Sequence, residues 1–521
     1  MNRLLTLITT LCYLGLTSPS TLAADPSNPI LDIGVIQRFG RNKSDQLILK
    51  AKTGDHLTLK FPTPEGEKTL QTQSVILKIH QQPLAKPRLE ERVILSQHRS
   101  YESAETSANT WRTRGIEVEI AQPDQWQVWA KRDVYKTPLL RHWLHQSIQV
   151  QQHPEVVIQS QIQKDQVQAY WDLGGYRYNR HELEISAQQN LIEVSTRPND
   201  REPRLYPGTL RLQPNAYHTY TLVNQVPLET YLRGVVPHEI GAWPPRASLE
   251  AQAILSRTYV LQNLHRFTVD NYQLCANTHC QVYKGLTEVY PSTDQAIANT
   301  RAQVLTYNNQ LVDALYSALS GGITADFRDI WQGEERPYLQ PVVDAVGQVW
   351  NLSANSLADE GNFRRFMQLK QGFTEEGWPL FRWREDVNLN TLQTDLKKYL
   401  TGRRHPLANF QKLEQLQITQ RSATGRVLQL EVKTDLGVIK IAKDEVQDAF
   451  YAPWSTLFYL ERLENPDKTL KGYAFIGGGF GHGVGMSQTG SYKLAALGWS
   501  SERILQFYFP GTELKTFGNP E

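Results

Sequence analysis

The chain has 521 residues, of which 40% are hydrophobic, and a formal net charge of +2. This length is enough for two to four domains with packed cores. The nearly balanced charge excludes a strongly basic nucleic-acid-binding protein and a protein with an acidic tail, so nucleic acid is not an expected partner.

Residues 1–23 have the pattern of a secretory signal peptide. Arg3 supplies a positive charge, residues 4–16 form an apolar run too short to span a membrane, and the small side chain of Ala23 suits cleavage. An uncleaved anchor is the alternative. No later segment approaches the roughly 18 apolar residues of a spanning helix. We therefore predict an exported protein of the periplasm or cell wall, with no membrane span after cleavage.

Residues 24–200 are predicted to form a β-rich N-terminal region. Apolar residues alternate at 31–36, 46–51 and 56–61, as they do in half-buried strands. The interval 97–110 is rich in Ser, Glu and Thr, which predicts an exposed loop. A strand followed by an amphipathic helix at 125–151 predicts a small α+β module. The apolar residues at helical spacing in that helix are Leu139, Leu140, Trp143, Leu144 and Ile148.

A larger mixed α+β domain is predicted at residues 201–515, and Glu239 is its strongest catalytic candidate. Val235, Val236 and Pro237 precede Glu239, and Ile240 follows it. Apolar surroundings disfavour the charged carboxylate and raise its pKa towards that of a general acid. The alternative is an exposed carboxylate that stabilises the N-terminus of the next helix.

That next helix is predicted to run to about residue 266. Its apolar residues cover much of its circumference, which is typical of a buried scaffold helix. Arg257 and Tyr259 on this helix are candidates for contact with a substrate. Ordinary packing and pairing are the alternative for both.

Two thiols and an imidazole occur within six residues at Cys275, His279 and Cys280. Three such ligands suit a tetrahedral zinc site, and His265 is the nearest upstream candidate for a fourth. In an exported protein, a Cys275–Cys280 disulfide is the alternative.

Two glycine-containing loops are expected to line a ligand site, because glycines allow the backbone to approach a ligand closely. The first loop contains Ser320, Gly321, Gly322 and Thr324. The second, at residues 477–490, contains His482, Ser487 and Gln488. For the first loop, an ordinary tight turn is the alternative. For the second, a phosphate-binding loop is excluded because no G-K-[ST] sequence is present. A nucleophile pair of Ser487 and His482 is conceivable, but no third orienting group is evident.

Four sequence blocks together resemble a known family. VNQVPLETYLRGVVPHEIGAWPPRASLEAQAILSRTYVL, at residues 223–261, resembles the family of stage II sporulation protein D, which also includes amidase-enhancer proteins of bacterial cell walls. Three later blocks resemble the same family in the same order: CANTHCQVYKG, YSALSGGITADFRDIWQGEERPYLQPVVD and GGGFGHGVGMSQTGSYKLAALGWSSERILQFYFPGTEL. The resemblance covers roughly residues 204–514.

This resemblance implies a peptidoglycan lytic transglycosylase, which cuts the glycan between N-acetylmuramic acid and N-acetylglucosamine without water and leaves a 1,6-anhydro sugar. It assigns the catalytic acid to Glu239 and a zinc site to the cluster of Cys275, His279 and Cys280. Enhancer-type members are described as stimulating an amidase without clear catalysis of their own. A wall-binding protein that recruits or activates a cell-wall amidase is therefore the second hypothesis.

Overall fold

The structure is a computed structural model, and it describes residues 25–151, 153, 155–198 and 200–518. The predicted signal peptide at residues 1–23 lies outside these residues. Helices and strands are mixed within them, which confirms the predicted α+β class. Among the helices described, none is both long enough and apolar enough to cross a membrane.

The N-terminal region consists mainly of strands, as its alternating pattern predicts. In β3, for example, Leu57, Leu59 and Phe61 are buried while the residues between them are partly exposed. The strands are β1 (Ile30–Phe39), β2 (Gln46–Ala51), β3 (Leu57–Thr63), β4 (Gly66–Thr72), β5 (Ser74–His98), β6 (Val118–Ala121), β7 (Trp126–Ala130), β8 (Val157–Leu173), β9 (Tyr176–Asn179), β10 (Leu183–Ala187) and β11 (Leu191–Ser195). The helices are α1 (Tyr101–Thr113) and α2 (Pro138–Val150).

Helix α1 occupies the interval 97–110 for which we predicted an exposed loop, so that prediction was wrong. The Ser100 hydroxyl accepts a hydrogen bond from the Ser103 amide and caps the helix. Tyr101, Ala104, Ala108 and Trp111 are buried along one face. Their spacing is helical, but the polar residues between them dominate the composition and hide this apolar stripe.

The strand and helix predicted at residues 125–151 are present as β7 and α2. The helix is less buried than its pattern predicts, because Leu139, Leu140 and Trp143 are exposed and Ile148 alone is fully buried. Strand β7 pairs with β5 and β6 within a large sheet. The predicted small module is thus continuous with the rest of the N-terminal region.

The remaining elements follow in chain order. Up to the first glycine-containing loop they are β12 (Arg204–Pro207), β13 (Thr209–Pro214), β14 (Tyr220–Pro227), α3 (Leu228–Arg233), α4 (Val236–Glu239), α5 (Arg246–Gln262), β15 (Leu274–Cys275), α6 (Pro291–Asn299), β16 (Gln303–Tyr307), β17 (Gln310–Leu311) and β18 (Tyr316–Ser317). Up to the second loop they are α7 (Phe327–Ile330), α8 (Glu360–Gln368), β19 (Trp383–Asn388), α9 (Leu389–Gly402), β20 (Leu413–Arg421), β21 (Val427–Thr434), β22 (Gly437–Ala442), α10 (Val446–Ala449), β23 (Phe458–Glu464) and β24 (Leu470–Gly477). The last four are β25 (Met486–Ser487), α11 (Gln488–Ala496), α12 (Ser501–Tyr508) and β26 (Glu513–Thr516).

Two large sheets contain most of the N-terminal strands. One has the order β15-β1-β14-β13-β10-β3-β4, and the other has the order β12-β11-β2-β5-β7-β6, with β8 paired to β5. Strand β1 pairs antiparallel with β14, from Ile30 opposite Pro227 to Phe39 opposite Tyr220. The first sheet therefore crosses the domain boundary that the sequence predicts at residue 200. Alternation of apolar and polar residues identifies a strand but not the strand with which it pairs, so the sequence did not predict the pairing of β1 with β14.

Helix α5 is the predicted scaffold helix and is buried around most of its circumference. Ala251, Ala253, Ile254 and Leu255 are fully buried on successive faces. The helix packs against α6, α11, α12 and β16. It ends at Gln262 with Asn263 as its C-cap, four residues before the predicted end.

The chain between the two glycine-containing loops forms two further sheets, β19-β24-β23 and β20-β21-β22, around a core of their own. The loops themselves are neighbours, because β18 and β25 pair in parallel. Tyr316 lies opposite Met486, and Ser317 lies opposite Ser487. The Gln488 side chain of the second loop reaches the end of α4, where it donates to the backbone carbonyl of Glu239.

Candidate active site

Glu239 is the last residue of the short helix α4. Val236 and Pro237 are buried, and they hold this turn against the core. The Glu239 Oε1 atom accepts a hydrogen bond from the Val282 amide at 2.6 Å. The Tyr316 hydroxyl is a second donor to the same carboxyl group. The side chain is thus held in one orientation by donors from two different parts of the chain.

The pKa of Glu239 is raised to about 7, and burial of the carboxyl group is the main cause. The hydrogen bonds from Val282 and Tyr316 favour the charged form and partly oppose this rise. The carboxyl group therefore exists in both protonation states near neutral pH. A group that donates a proton and then accepts one needs this property.

The Glu239 side chain opens onto a cavity of about 750 Å³. Of the residues that the sequence singled out, Tyr259, His279, Cys280 and His482 line it as well. The N-terminal region contributes Arg99, Tyr101, Glu102 and Trp126, and the region between the glycine-containing loops contributes Trp331, Asp444, Gln447 and Trp454. The cavity wall is consequently built from three parts of the chain and is rich in aromatic side chains.

The imidazole of His482 is neutral at the cavity wall. Its Nδ1 atom accepts a hydrogen bond from the Val484 amide at 3.0 Å, and the ring donates to the backbone carbonyl of Tyr316. Burial lowers the pKa of His482 to about 4. The ring centre lies 5.0 Å from that of Trp331. His482 is therefore placed to contact a ligand, but it does not exchange protons near pH 7.

Ser487 does not pair with His482, so the nucleophile pair considered from the sequence is not formed. The Ser487 hydroxyl is buried and donates to Glu375 Oε1 at 2.5 Å. The neighbouring Gln488 contacts the catalytic candidate instead. Its Nε2 donates to the backbone carbonyl of Glu239 at 3.0 Å, which helps to fix the end of α4.

The backbone N–H groups of the first glycine-containing loop are not free for a ligand. The Ser320 amide donates to Glu375 Oε1, and the amides of Gly321 and Gly322 donate to Glu375 Oε2 at 2.8 and 3.2 Å. The expectation that this loop lines the ligand site is therefore not met. Glu375 is more than fifty residues away in the chain, and no local sequence signal indicates that it fills this turn.

Asp344 completes this buried network behind the cavity. It accepts hydrogen bonds from the Ser320 hydroxyl at 3.0 Å, the Thr374 hydroxyl at 2.5 Å and the Tyr508 hydroxyl at 2.8 Å. Burial and the nearby Glu375 carboxylate raise the pKa of Asp344 to about 7. Thr324 is also internal, because its hydroxyl accepts from the Val342 amide. These residues support the loop and do not line the cavity.

Arg257 and Tyr259 have different environments although both lie on α5. Arg257 is fully buried, and its guanidinium group binds Glu229 through two hydrogen bonds of 2.7 and 2.8 Å. It is therefore a structural residue, as the packing alternative proposed. Tyr259 lines the cavity, and the guanidinium group of Arg266 lies 5.1 Å from its ring centre.

Cys275 and Cys280 form a disulfide, which is one of the two alternatives that the sequence left open. His265 pairs with Glu105, with Nε2 and Oε1 2.9 Å apart, and His279 is exposed. Across the described ranges, no group of three or more His, Cys, Asp or Glu side chains is arranged to hold a metal ion. Oxidised thiols do not ligate zinc, so this arrangement does not fit the zinc site that the family resemblance implies.

Asp444 is a cavity residue that the sequence analysis missed. It lies in a 3₁₀ turn before α10 and has 7% of its surface exposed, and its side chain makes no hydrogen bond or ion pair within the part of the chain that the structure describes. Burial raises the pKa of Asp444 to about 7. The sequence around it, Lys443-Asp444-Glu445, resembles an ordinary exposed charged turn, and only the tertiary structure places it at the wall of the cavity that Glu239 also lines.

Comparison with known families gives two matches that divide the site between them. Residues 216–307, which include Glu239, match a family described as stage II sporulation protein. Residues 325–485, which include Asp444 and His482, match a family described as a domain of unknown function. Glu239 and Asp444, the two cavity residues whose carboxyl pKa values are raised, thus lie in segments that match different families.

Three known proteins illustrate the similarity. An uncharacterized protein of Brachyspira hyodysenteriae (strain ATCC 49526 / WA1) is 28% identical over 310 residues, covering 57% of this chain and 68% of that protein. The amidase enhancer of Bacillus subtilis (strain 168) is 26% identical over 304 residues, covering 55% of this chain but only 40% of the relative. Stage II sporulation protein D of the same organism is 23% identical over 368 residues, covering 65% of this chain and 89% of the relative.

Proposed function

We propose that this protein is a lytic transglycosylase of peptidoglycan. The proposal is supported by the match of residues 216–307 to the stage II sporulation protein family and by the similarity to stage II sporulation protein D of Bacillus subtilis. The protein cleaves the bond between N-acetylmuramic acid and N-acetylglucosamine and forms 1,6-anhydro-N-acetylmuramic acid. Its partners are glycan strands of the cell wall. Cleavage of the signal sequence would deliver the protein to the periplasm or cell wall, where this substrate is found.

One observation carries this proposal. The carboxyl group of Glu239 has a pKa of about 7 and faces a cavity of about 750 Å³ lined with aromatic side chains. Flat aromatic rings with polar neighbours are suited to the apolar faces and hydroxyl groups of sugars. A single carboxyl group that changes protonation state near neutral pH is sufficient for lytic transglycosylation.

The reaction would proceed with Glu239 first as acid and then as base. The protonated carboxyl group gives its proton to the glycosidic oxygen, which leaves with the electron pair of the C1–O bond. The 6-hydroxyl oxygen of the same sugar then forms a bond to C1, and the Glu239 carboxylate takes the proton of that hydroxyl. The donors at Val282 and Tyr316 stabilise the carboxylate between the two transfers. Two-carboxylate glycosidases differ, because they deliver water to the sugar.

The second candidate function is enhancement of a cell-wall amidase without catalysis. The observation that favours it is the 26% identity to the amidase enhancer of Bacillus subtilis. In that case the cavity would bind glycan to bring the amidase to its substrate, and the Glu239 carboxyl group would not be needed for activity.

Digestion of purified glycan strands, with and without stem peptides, tests the proposal. Wild-type protein should release fragments with anhydro-muramyl ends, detected by mass spectrometry. Glu239→Gln removes the proton that is transferred and should lower the rate by about 10²–10⁴-fold. Glu250→Gln is the matched control, since Glu250 lies in the same segment but pairs with Arg246 at 2.6 Å.

The outcome separates the two functions. If the wild-type protein yields no anhydro ends on either substrate, the transglycosylase proposal fails. Stimulation of an amidase by both wild type and Glu239→Gln would then support the enhancer function.

A further inference from the structure

A second cavity of about 1210 Å³ adjoins the cavity at Glu239. Asp124, Gln125, Gln447 and Asp448 line both cavities, so the two cavities are adjacent, and we call the pair of cavities the groove. We call the second one the distal cavity. One of its sides is formed by residues of β5, β7 and β8, and the other by the end of α9 and the segment after α10.

The two sides of the distal cavity have chemistry suited to a sugar chain. The sheet side presents the amide side chains of Gln97, Gln127 and Gln159. Amides both donate and accept hydrogen bonds, as hydroxyl and acetamido groups require. The opposite side presents the rings of Tyr399 and Tyr451. Tyr451 is 81% exposed, so packing within the fold does not explain this large side chain.

Aromatic residues also connect the two cavities. The ring of Tyr451 lies 6.2 Å from that of Trp454, and Trp454 lies 5.8 Å from Phe480. Trp454 and Phe480 line the cavity at Glu239, whereas Tyr451 lines the distal cavity. An aromatic strip thus runs along the groove from one cavity to the other.

The charges along the groove largely compensate one another. At the junction, Asp448 pairs with Arg99 and also with Arg403, the latter at 3.5 Å. Within the distal cavity, Glu155 and Asp395 balance Lys398 and Arg404. A groove without a dominant charge fits a long polar ligand better than a nucleic acid or another polyanion.

Asp444 lies beside the junction, three residues before Gln447. Asp444 as a residue is more than nine-tenths buried and lines the cavity, and its carboxyl group has no hydrogen-bond donor within the described residues. The carboxyl oxygens are not among the fully buried polar atoms that lack a partner, so they remain accessible from the cavity, where a ligand can supply a hydrogen-bond donor. Sugar hydroxyl and acetamido N–H groups are such donors.

We infer that the groove binds a glycan strand of more than three sugar units, with sugars distant from Glu239 packed against Tyr451 in the distal cavity and with Asp444 accepting a hydrogen bond from the strand at the junction. This inference rests on the proposed function for the identity of the polymer. It assigns a substrate-binding role to the region 325–485 and to strands of the N-terminal region, beyond the sporulation protein match at 216–307.

Calorimetric titration of the Glu239→Gln protein with oligomers of N-acetylglucosamine tests the inference, because this variant binds without cleaving. The hexamer should bind at least about tenfold more tightly than the trimer. Adding Tyr451→Ala should weaken hexamer binding by about five- to tenfold and leave trimer binding unchanged. Adding Asp444→Asn should weaken binding, because a neutral amide oxygen is a weaker acceptor than a carboxylate. It should leave the thermal midpoint the same or higher, since the carboxyl group has no donor within the described residues.

Tyr176→Ala is the matched control, because Tyr176 is 71% exposed on β9 and lines neither cavity. Equal affinity for trimer and hexamer, or hexamer binding that Tyr451→Ala does not change, would overturn the inference. The test is independent of catalysis. If binding depends on oligomer length but the wild type forms no anhydro products, the inference about the groove stands and the transglycosylase proposal fails. If anhydro products form but binding does not depend on length, the transglycosylase proposal stands and the inference about the groove fails.

Discussion

Glu239 shows how burial and hydrogen bonding set the chemistry of a single residue. The apolar turn around it raises the pKa, and the donors at Val282 and Tyr316 keep the rise moderate. The sequence predicted the apolar setting from Val235, Val236 and Pro237, which are all buried. It did not predict the donors, because they come from residues more than forty positions away.

The pH dependence of glycan cleavage follows from this pKa. The first proton transfer needs protonated Glu239, so kcat/KM should fall about tenfold for each pH unit above a pKa of about 7. His482, with a pKa of about 4, stays neutral and should not contribute to this decline. Asp444 also titrates near 7, so the profile is measured for wild type and for Asp444→Asn. A decline that disappears in Asp444→Asn would assign it to Asp444 and contradict the role of Glu239.

The cysteine pair is a second case at the residue scale. We expect the purified protein to have a mass about two daltons below that of the reduced chain, because Cys275 and Cys280 are joined. Elemental analysis of the same sample should find no zinc. One equivalent of zinc and two free thiols would instead restore the metal site that the resemblance implies. A Cys275→Ser/Cys280→Ser protein serves as the mass control.

At the scale of elements, the first glycine-containing loop is held by hydrogen bonds to the buried side chain of Glu375. Glu375 accepts hydrogen bonds from three consecutive amides and from the Ser487 hydroxyl, and it thereby ties both glycine-containing loops together. Gly321 has a φ of +78°, and a Cβ atom there would lie 2.7 Å from the Gly478 backbone carbon. Gly321 therefore serves close packing between the two loops and not contact with a ligand.

Replacement of Glu375 should destabilise the fold. Glu375→Gln places an amide against backbone donors and leaves buried groups unpaired, which should lower the free energy of unfolding by about 3–5 kcal/mol. Urea unfolding followed by circular dichroism measures the change. Glu376→Gln is the control, because Glu376 is the adjacent, exposed residue. Equal stability of the two variants would show that the carboxylate does not hold the loops.

At the scale of the whole molecule, the N-terminal region and the region from residue 201 onward share a sheet and form one folded body. Strand β1 lies between β14 and β15, which both belong to the region predicted as the later domain. Residues of the N-terminal region also form part of the cavity wall at Glu239. The region at 24–200, whose role the sequence left open, therefore contributes to both the sheet and the site.

A fragment of residues 201–518 should not fold by itself. Removal of β1 would expose the edge of β14 and the apolar residues Leu222 and Val226, which are fully buried in the intact chain. We expect aggregation on size-exclusion chromatography, whereas the chain from residue 25 should elute as a compact protein with one cooperative thermal transition. A soluble fragment with the same thermal midpoint as the longer chain would contradict this.

Some properties of this protein follow from the sequence alone. Local periodicity identified most strands and the buried helix α5, and the apolar neighbours of Glu239 indicated a raised pKa, because these effects depend on residues close together in the chain. Tertiary structure decided the rest. It brought Glu375 to the glycine-containing loop, Asp444 to the cavity and β1 beside β14, since such contacts join residues far apart in sequence and leave no local pattern. The sequence did not predict helix α1, although its buried side chains lie close together in the chain. The polar residues around them are more numerous and hide the apolar pattern.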